Sequence, residues 1–331
     1  MCKDGRRTAA QSLLSGLTVG WMLFTQHTTT FAQAYPLKPV RVVSSSAAGS
    51  LSDSVARLLF TRIGEVWGQQ FIIDNRPAVA GSAAAELVAR APPDGYTLLS
   101  AVNSTLVVNP FLYSQLGYEP LRDFDAVSMF MKISEVLVVH PSLNVKTIAE
   151  FIALAKARPR QITYASAGNG HVQHLMMELF QRKAGIALVH VPYKGVSPAA
   201  LAVAGGETAA INVGIGLARP HIVNGRLRAL ARTGFLSKEI WPDVPALTAL
   251  YPAVEYIPWQ AVLVPKGTSR AIITRLNAEV EKALAVPAVR SRMAELDVAP
   301  AGSTPGELDK TLRADLSVNR ELVKSIGLKL D

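Results

Sequence analysis

The strongest constraint on the fold is a rhythm: short β-branched runs alternate with helical apolar stripes, twice over. Val40-Arg41-Val42-Val43 runs into a small-residue loop, and then Val55, Leu58, Leu59, Ile63 and Val66 recur at helical spacing. Phe71-Ile72-Ile73, an Ala-rich helix over 83–90, the turn Pro92-Pro93-Asp94-Gly95 and the strand Tyr96–Leu99 follow. This βαβαβ order predicts a parallel sheet covered by helices. A second cycle starts at Glu135–Val139. It continues through a helix over 148–157, Ile162-Thr163-Tyr164, and a stripe of Val172, Leu175, Met176, Leu179 and Phe180 closed by Gly185. Strands are expected at 188–191, 209–213 and 260–264, with helices over 197–204, 269–284 and 305–325. The last two helices have no sheet of their own and are expected to return to the first unit.

A chain of 331 residues fits two such units. Lys3, Arg6 and Arg7 precede the apolar stretch Leu13–Phe24, and Ala32-Gln33-Ala34 offers a small-x-small cleavage signal before Tyr35. Residues 1–34 therefore read as a secretory signal peptide, and the mature protein as periplasmic. The single cysteine, Cys2, lies in that segment, so no disulfide framework or cysteine zinc site is available to the mature chain. The formal charge of +9 invites a nucleic-acid reading. Beyond the N-terminus, however, basic residues occur in no long run and no nucleic-acid motif is present, so a basic surface is the better account.

Three strand-to-helix loops are rich in Ser, Gly and Asn: 44–52, 101–105 and 165–171. In an open parallel sheet such loops sit at the carboxyl edge, where ligands bind. The helices that follow offer unpaired N–H groups and partial positive charge to an anion. Each loop alone is an ordinary capped turn; three across two units point to a carboxylate cleft. Dinucleotide, phosphate-loop and G-x-S-x-G signatures are absent. His171, His174 and Glu178 could share a helix face as metal ligands, yet H-E-x-x-H is missing. Lys194 reads as a solvated turn lysine. No cofactor is expected.

Several motifs, in this order, carry a family resemblance: YPLKPVRVV (35–43), DNRP (74–77), PPDGYTLL (92–99), NPFLY (109–113), TYASAGNG (163–170), VHVPYKG (189–195) and VPKGT (264–268). With them the chain resembles the periplasmic substrate-binding proteins of tripartite tricarboxylate transporters, the Bug family. The resemblance implies an α/β, two-lobed Venus-flytrap (type II) fold, each lobe a mixed, mostly parallel sheet flanked by helices. It implies lobe one at 35–136 plus 229–331 and lobe two at 137–228. It further implies a non-enzymatic monomer that passes a small carboxylate to integral-membrane permease subunits. The expected ligand-binding residues are Ser46, Gly49, Ser50, Asn103, Ser104, Thr105, Ser166, Gly168, Asn169, Gly170, His171 and Tyr193, with Trp259 near the cleft.

The chain departs from the family pattern inside these loops. Ser46 stands where an aromatic is usual, Ser45 where a proline is, and Ser50 where a second glycine is. Ser104-Thr105-Leu106 replaces G-T-H, His171 replaces the threonine after Gly170, and Thr208-Ala209-Ala210 replaces Val-Asp-Val. The changes remove an aromatic wall and add hydroxyls and an imidazole. Alternative functions are a periplasmic hydrolase or metalloenzyme using His171 and His174, and an accessory that presents its ligand to a sensor.

The cleavage signal makes a direct prediction. Intact-mass analysis of the periplasmic fraction should show a protein beginning at Tyr35, and full-length protein held in the membrane would contradict it.

Overall fold

The computed structural model describes residues 35–233, 244–251 and 257–330. Residues 1–34, expected from the sequence to be a cleaved signal peptide, lie outside them. From the amino end, β1 (Val40–Ser44), α1 (Leu51–Trp67), β2 (Phe71–Asn75), α2 (Ser82–Ala89) and β3 (Thr97–Val102) lead to three short helices, α3 (Asn103–Val107), α4 (Asn109–Leu112) and α5 (Pro120–Asp123), and then to β4 (Phe124–Ile133). Ser134 alone separates β4 from β5 (Glu135–Val139). There follow α6 (Ile148–Ala157), β6 (Thr163–Ser166), α7 (Val172–Ala184), β7 (Val189–Pro192), α8 (Val196–Ala204), β8 (Ala210–Gly214), α9 (Ile215–Val223), β9 (Arg228–Thr233) and α10 (Leu247–Leu250). The chain ends with β10 (Trp259–Pro265), α11 (Arg270–Ala285), α12 (Pro287–Glu295), β11 (Val298–Pro300) and α13 (Pro305–Ile326).

Two sheets result, ordered β11-β4-β10-β3-β1-β2 and β7-β6-β8-β5-β9. In the first, β1 pairs in parallel with β2 and β3, whereas β10 runs antiparallel to both β3 and β4. In the second, β6 is parallel to β7 and β8, and β5 is antiparallel to β8 and β9. Each sheet is thus mostly unidirectional, with one opposed inner strand, β10 or β5, contributed just after the chain changes sheets; the short edge strand β11 also runs against β4. β4 points toward the carboxyl edge of its sheet. β5 begins one residue later at the carboxyl edge of the other. That single-residue step sets the two carboxyl edges side by side.

The sequence reading passed over β4, whose run FDAVSMFMKI mixes Asp125, Ser128 and Lys132 with apolar residues. It also placed 229–331 wholly in lobe one. β9 belongs to the second sheet, paired with β5 from Glu135↔Thr233 to Val139↔Arg228. The physical reason is that β5, opposed in direction, leaves a free edge that only a following strand can fill.

The predicted helices form where their apolar stripes can be buried. In α1, Val55, Ala56, Leu59, Phe60 and Ile63 are buried, Ser50 caps the start, and Gly68 ends the helix in the left-handed conformation. α13 opens with a reciprocal capping box between Thr304 and Glu307. Its Leu308, Leu312, Leu322 and Val323 join Val43, Leu99, Leu106 and Leu263 in the first core, which shows the C-terminal helix returning to the first sheet. The second sheet is packed on both faces. Leu137, Phe151, Tyr164 and Phe180 lie on one side, and Val136, Val138, Ala200 and Ile211 on the other.

One glycine fixes how lobe-one loops nest. At Gly81, φ is +83°, and an added Cβ would lie 2.6 Å from Ser45 Cβ and 2.7 Å from Thr105 Oγ1. Gly81→Ala is therefore expected to destabilise the fold by more than about 1 kcal/mol, through strain and overlap together. Urea unfolding of the variant with an unchanged midpoint would refute this account.

Candidate ligand-binding site

On the lobe-one side, the first loop is organised by Asp53. This buried carboxylate accepts Gly49 N–H at 2.9 Å, Arg57 Nε at 2.9 Å and Asn75 Nδ2 at 2.8 Å. Asn75 also donates to the Ser46 carbonyl at 2.9 Å. Burial opposes ionisation of Asp53, but the bonds from Arg57, Asn75 and Gly49 outweigh it and hold the carboxyl below its usual range. Ser50 Oγ accepts Asp53 N–H at 3.2 Å. The N-terminus of α1 is thus already supplied with a carboxylate and a hydroxyl from its own chain. Gly49 and Ser50, expected as ligand donors, spend their N–H groups on Asp53 and the Ala47 carbonyl. Ser46 keeps a hydroxyl with no hydrogen-bond partner among the described residues, although its N–H reaches Ser44 Oγ at 3.3 Å.

The second loop is a brace. Ser45 Oγ accepts Val102 N–H at 3.1 Å. Thr105, fully buried, donates its hydroxyl to the Ala80 carbonyl at 3.2 Å, and Asn109 donates to the same carbonyl at 3.1 Å. These bonds hold Val79 and Ala80 at φ of 51° each, a left-handed conformation unfavourable for a β-branched residue. Thr105 is therefore a strut under the 77–81 turn and not a ligand group. The sequence reading missed that turn, for which Pro77 and Gly81 were the available signals. Asn103 is buried and Ser104 half-buried at the start of α3.

The lobe-two side is different in kind. His171 is the N-cap of α7, and no side chain caps the helix. The first helical bond runs from Leu175 N–H to the His171 carbonyl at 3.1 Å. The N–H groups of Val172, Gln173 and His174 consequently have no acceptor among the described residues. Such a terminus carries about half a unit of positive charge. The turn leading to it is fixed by Ser166. Its buried hydroxyl accepts Gly168 N–H at 3.1 Å and lies 3.0 Å from the Gly168 carbonyl and 2.6 Å from His190 Nε2. Ser166 holds the turn from inside. Gly168 (φ +138°) and Asn169, which is exposed, form the tip.

Gly170 meets the other lobe. A Cβ there would lie 2.3 Å from Leu112 Cδ1 and 3.2 Å from Leu330 Cδ1. Leu175 of α7 also packs with Leu112, Leu322 and Val323. The α7 terminus therefore leans against α4 and the end of the chain, and the space beside Gly170 is filled by leucine. Two expected aromatics lie elsewhere. Trp259 is a core residue whose Nε1 donates to Asp315 at 2.8 Å. The Tyr193 hydroxyl lies 3.5 Å from Glu207, and its ring packs on the face lined by Val136, Ala165 and Ile211.

His171, His174 and Glu178 do not converge. His174 Nδ1 accepts Gly170 N–H at 3.0 Å, and its ring stacks on His190 at 3.9 Å between centroids. Glu178 accepts from Tyr164 at 2.6 Å and from Gln181 at 2.8 Å. Among the described residues no three His, Cys, Asp or Glu side chains are grouped to hold a metal.

With this geometry in view, two α/β lobes joined by crossing strands, with loop ends meeting between them, define a solute-binding protein of the periplasmic type. The chain belongs to the tripartite tricarboxylate transporter receptor family, TctC, whose pattern matches residues 55–328. It is 33% identical to protein BugT of Bordetella pertussis over 301 residues, 90% of this chain and 92% of that one. The R. palustris protein Rpa4515, solved with adipate, superposes with a TM-score of 0.78 at 30% identity, covering 89% of this chain and 99% of that one. MatC (Rpa3494) from Rhodopseudomonas palustris, solved with bound malate, gives 0.73 at 28% identity, covering 87% and 100%.

The stacked histidines make a pH prediction. Burial pushes His174 down to about 4; burial, with His174 alongside, does the same to His190. Both rings are neutral in the folded protein. The stability they support is complete above the unfolded value near 6.5 and is lost as pH falls toward 4. His174→Phe keeps a flat ring on His190 and removes one titrating group. Its melting temperature should fall less between pH 6.5 and 4 than that of wild type; an equal fall would contradict the assignment.

Proposed function

We propose that the protein is an extracytoplasmic receptor that captures a small carboxylate and delivers it to the membrane permease of a tripartite transporter. The observation that carries the reading is the open N-terminus of α7: three N–H donors, no cap, at the edge where the second sheet meets the first. Neutral donors of this kind suit a carboxylate, each bond to the charged group contributing about 1.5–3 kcal/mol. The relatives solved with adipate and malate support the ligand class. Export with cleavage before Tyr35 places the receptor where such a solute arrives.

The carboxylate would sit on the N–H groups of Val172, Gln173 and His174, with Gly168 and Asn169 at its side. Lobe one would contribute Ser46 and the N–H groups of Ala47 and Ala48, which have no acceptor among the described residues. Closure of the lobes excludes water and strengthens these bonds.

The asymmetry between α1 and α7 supplies the test. His171 has φ of −68° and ψ of 158°, the backbone an N-cap requires. His171→Asp would give α7 the built-in carboxylate that α1 already has. Its melting temperature should equal or exceed that of wild type, while calorimetric affinity for the best of adipate, malate and citrate falls at least roughly tenfold. Undiminished affinity in a folded variant would show that the ligand is held elsewhere.

A further inference from the structure

Beneath the open end of α7 lies a second polar group that the carboxylate reading leaves unused. Glu135, the first residue of β5, stands opposite Gly214 at the end of β8 and Thr233 at the end of β9, so it lies at the cleft edge of the sheet. It is 2% exposed, with Gln173 at 3% and Asn212 at 0% around it. Gln173 Nε2 donates to Glu135 Oε1 at 3.1 Å, and Asn212 Nδ2 donates to Oε2. Those two bonds fix both amides, since either one reversed would set a carbonyl against a carboxylate. Among the described residues their oxygens, Gln173 Oε1 and Asn212 Oδ1, are left buried without a partner, as is His171 Nδ1.

The inventory is one-sided. A carboxylate and two amide oxygens are buried together, and among the described residues no Lys or Arg pairs with Glu135. Each unpartnered buried acceptor carries a desolvation cost, and an unpaired buried carboxylate carries more. Burial pushes the Glu135 carboxyl up to about 7, against the two amide bonds that favour its charged form. What the group lacks is a positively charged donor with several hydrogens.

We propose that Glu135, Gln173, Asn212 and His171 form a subsite for an ammonium group, so that the ligand of this receptor is an amino acid and not a plain diacid. The proposal rests on the carboxylate reading above and deepens it. Gln173 links the two halves: its backbone N–H is one of the free donors of α7, and its side chain borders Glu135. An α-amino acid carries carboxylate and ammonium on adjacent carbons, which suits neighbouring acceptor and donor sites. Of the four residues only His171 is more than slightly exposed to solvent.

Calorimetric titration with L-aspartate, L-malate and succinate, and with L-glutamate and glutarate, isolates the ammonium at constant chain length. In wild type the better of the two amino acids should bind at least tenfold tighter than its diacid, and L-malate should side with succinate. Glu135→Gln should bring amino acid and diacid within about twofold of each other, with unchanged circular dichroism. Gln173→Met keeps the carboxylate and removes one acceptor. It should cut the preference at least threefold, and it provides the test if Glu135→Gln fails to fold. Tight binding of succinate or glutarate with no preference for the amino acid overturns this proposal alone, as does a preference that survives in the folded variants. L-malate as tight as L-aspartate shows a neutral donor site and also overturns it. If none of the five binds, the carboxylate reading falls as well.

Discussion

Everything at the cleft depends on an inner strand of each sheet that runs against both of its neighbours. β5 lies between β8 and β9, and β10 between β4 and β3, each antiparallel to both. An opposed strand places its beginning where its neighbours place their ends. Ser134 can therefore join β4 to β5 directly, and the carboxyl edges of both sheets must adjoin. Loops that belong to separate βαβ units are brought together by this connection. It also sets Glu135, the first residue past the step, at the floor of the second lobe.

Two helix ends at the carboxyl edges, those of α1 and α7, are treated oppositely. α1 is closed by its own chain: Ser50 caps it, and Asp53 gathers Gly49, Arg57 and Asn75. Those bonds hold Asp53 ionised despite burial, so the positive end of the helix is already answered. α7 has an imidazole at its cap position that makes no capping bond. A helix end without partners is costly, and of these two ends α7 alone carries that cost. The difference turns lobe one into a rigid frame and lobe two into the side with free donors.

The ground under α7 is polar to an unusual degree for a core. Ser166, His190 and His174 form one chain of contacts, and Tyr164 links them to Glu178 and Gln181. Burial and the adjacent Glu178 push the Tyr164 phenol far above its ordinary range, so it acts only as a donor. These groups satisfy one another and set the pitch of the turn at Gly168 and Gly170. On the other side of the same helix, Glu135, Gln173 and Asn212 are satisfied only in part. A buried network fully paired on one flank and short of donors on the other is rigid where it supports the helix and receptive where it borders the cleft.

The sequence by itself determined the elements and the class. Apolar periodicity placed α1, α7 and α13, β-branched runs placed β1 and β2, and the small-residue loops fell at the strand ends that face the cleft. These are local properties, set within a turn of helix or a few strand residues. The motifs carried the family for the same reason. Tertiary structure alone decided which loop donors are free. Thr105 and Ser166 read as ligand hydroxyls until Ala80 and His190, distant in the chain, were seen to occupy them. Trp259 read as a cleft aromatic until Asp315 claimed its indole. Glu135, Gln173 and Asn212 are spread over 78 positions and carry no motif. Whether a polar atom is paired depends on neighbours that only folding supplies, and spacing along a chain does not record them.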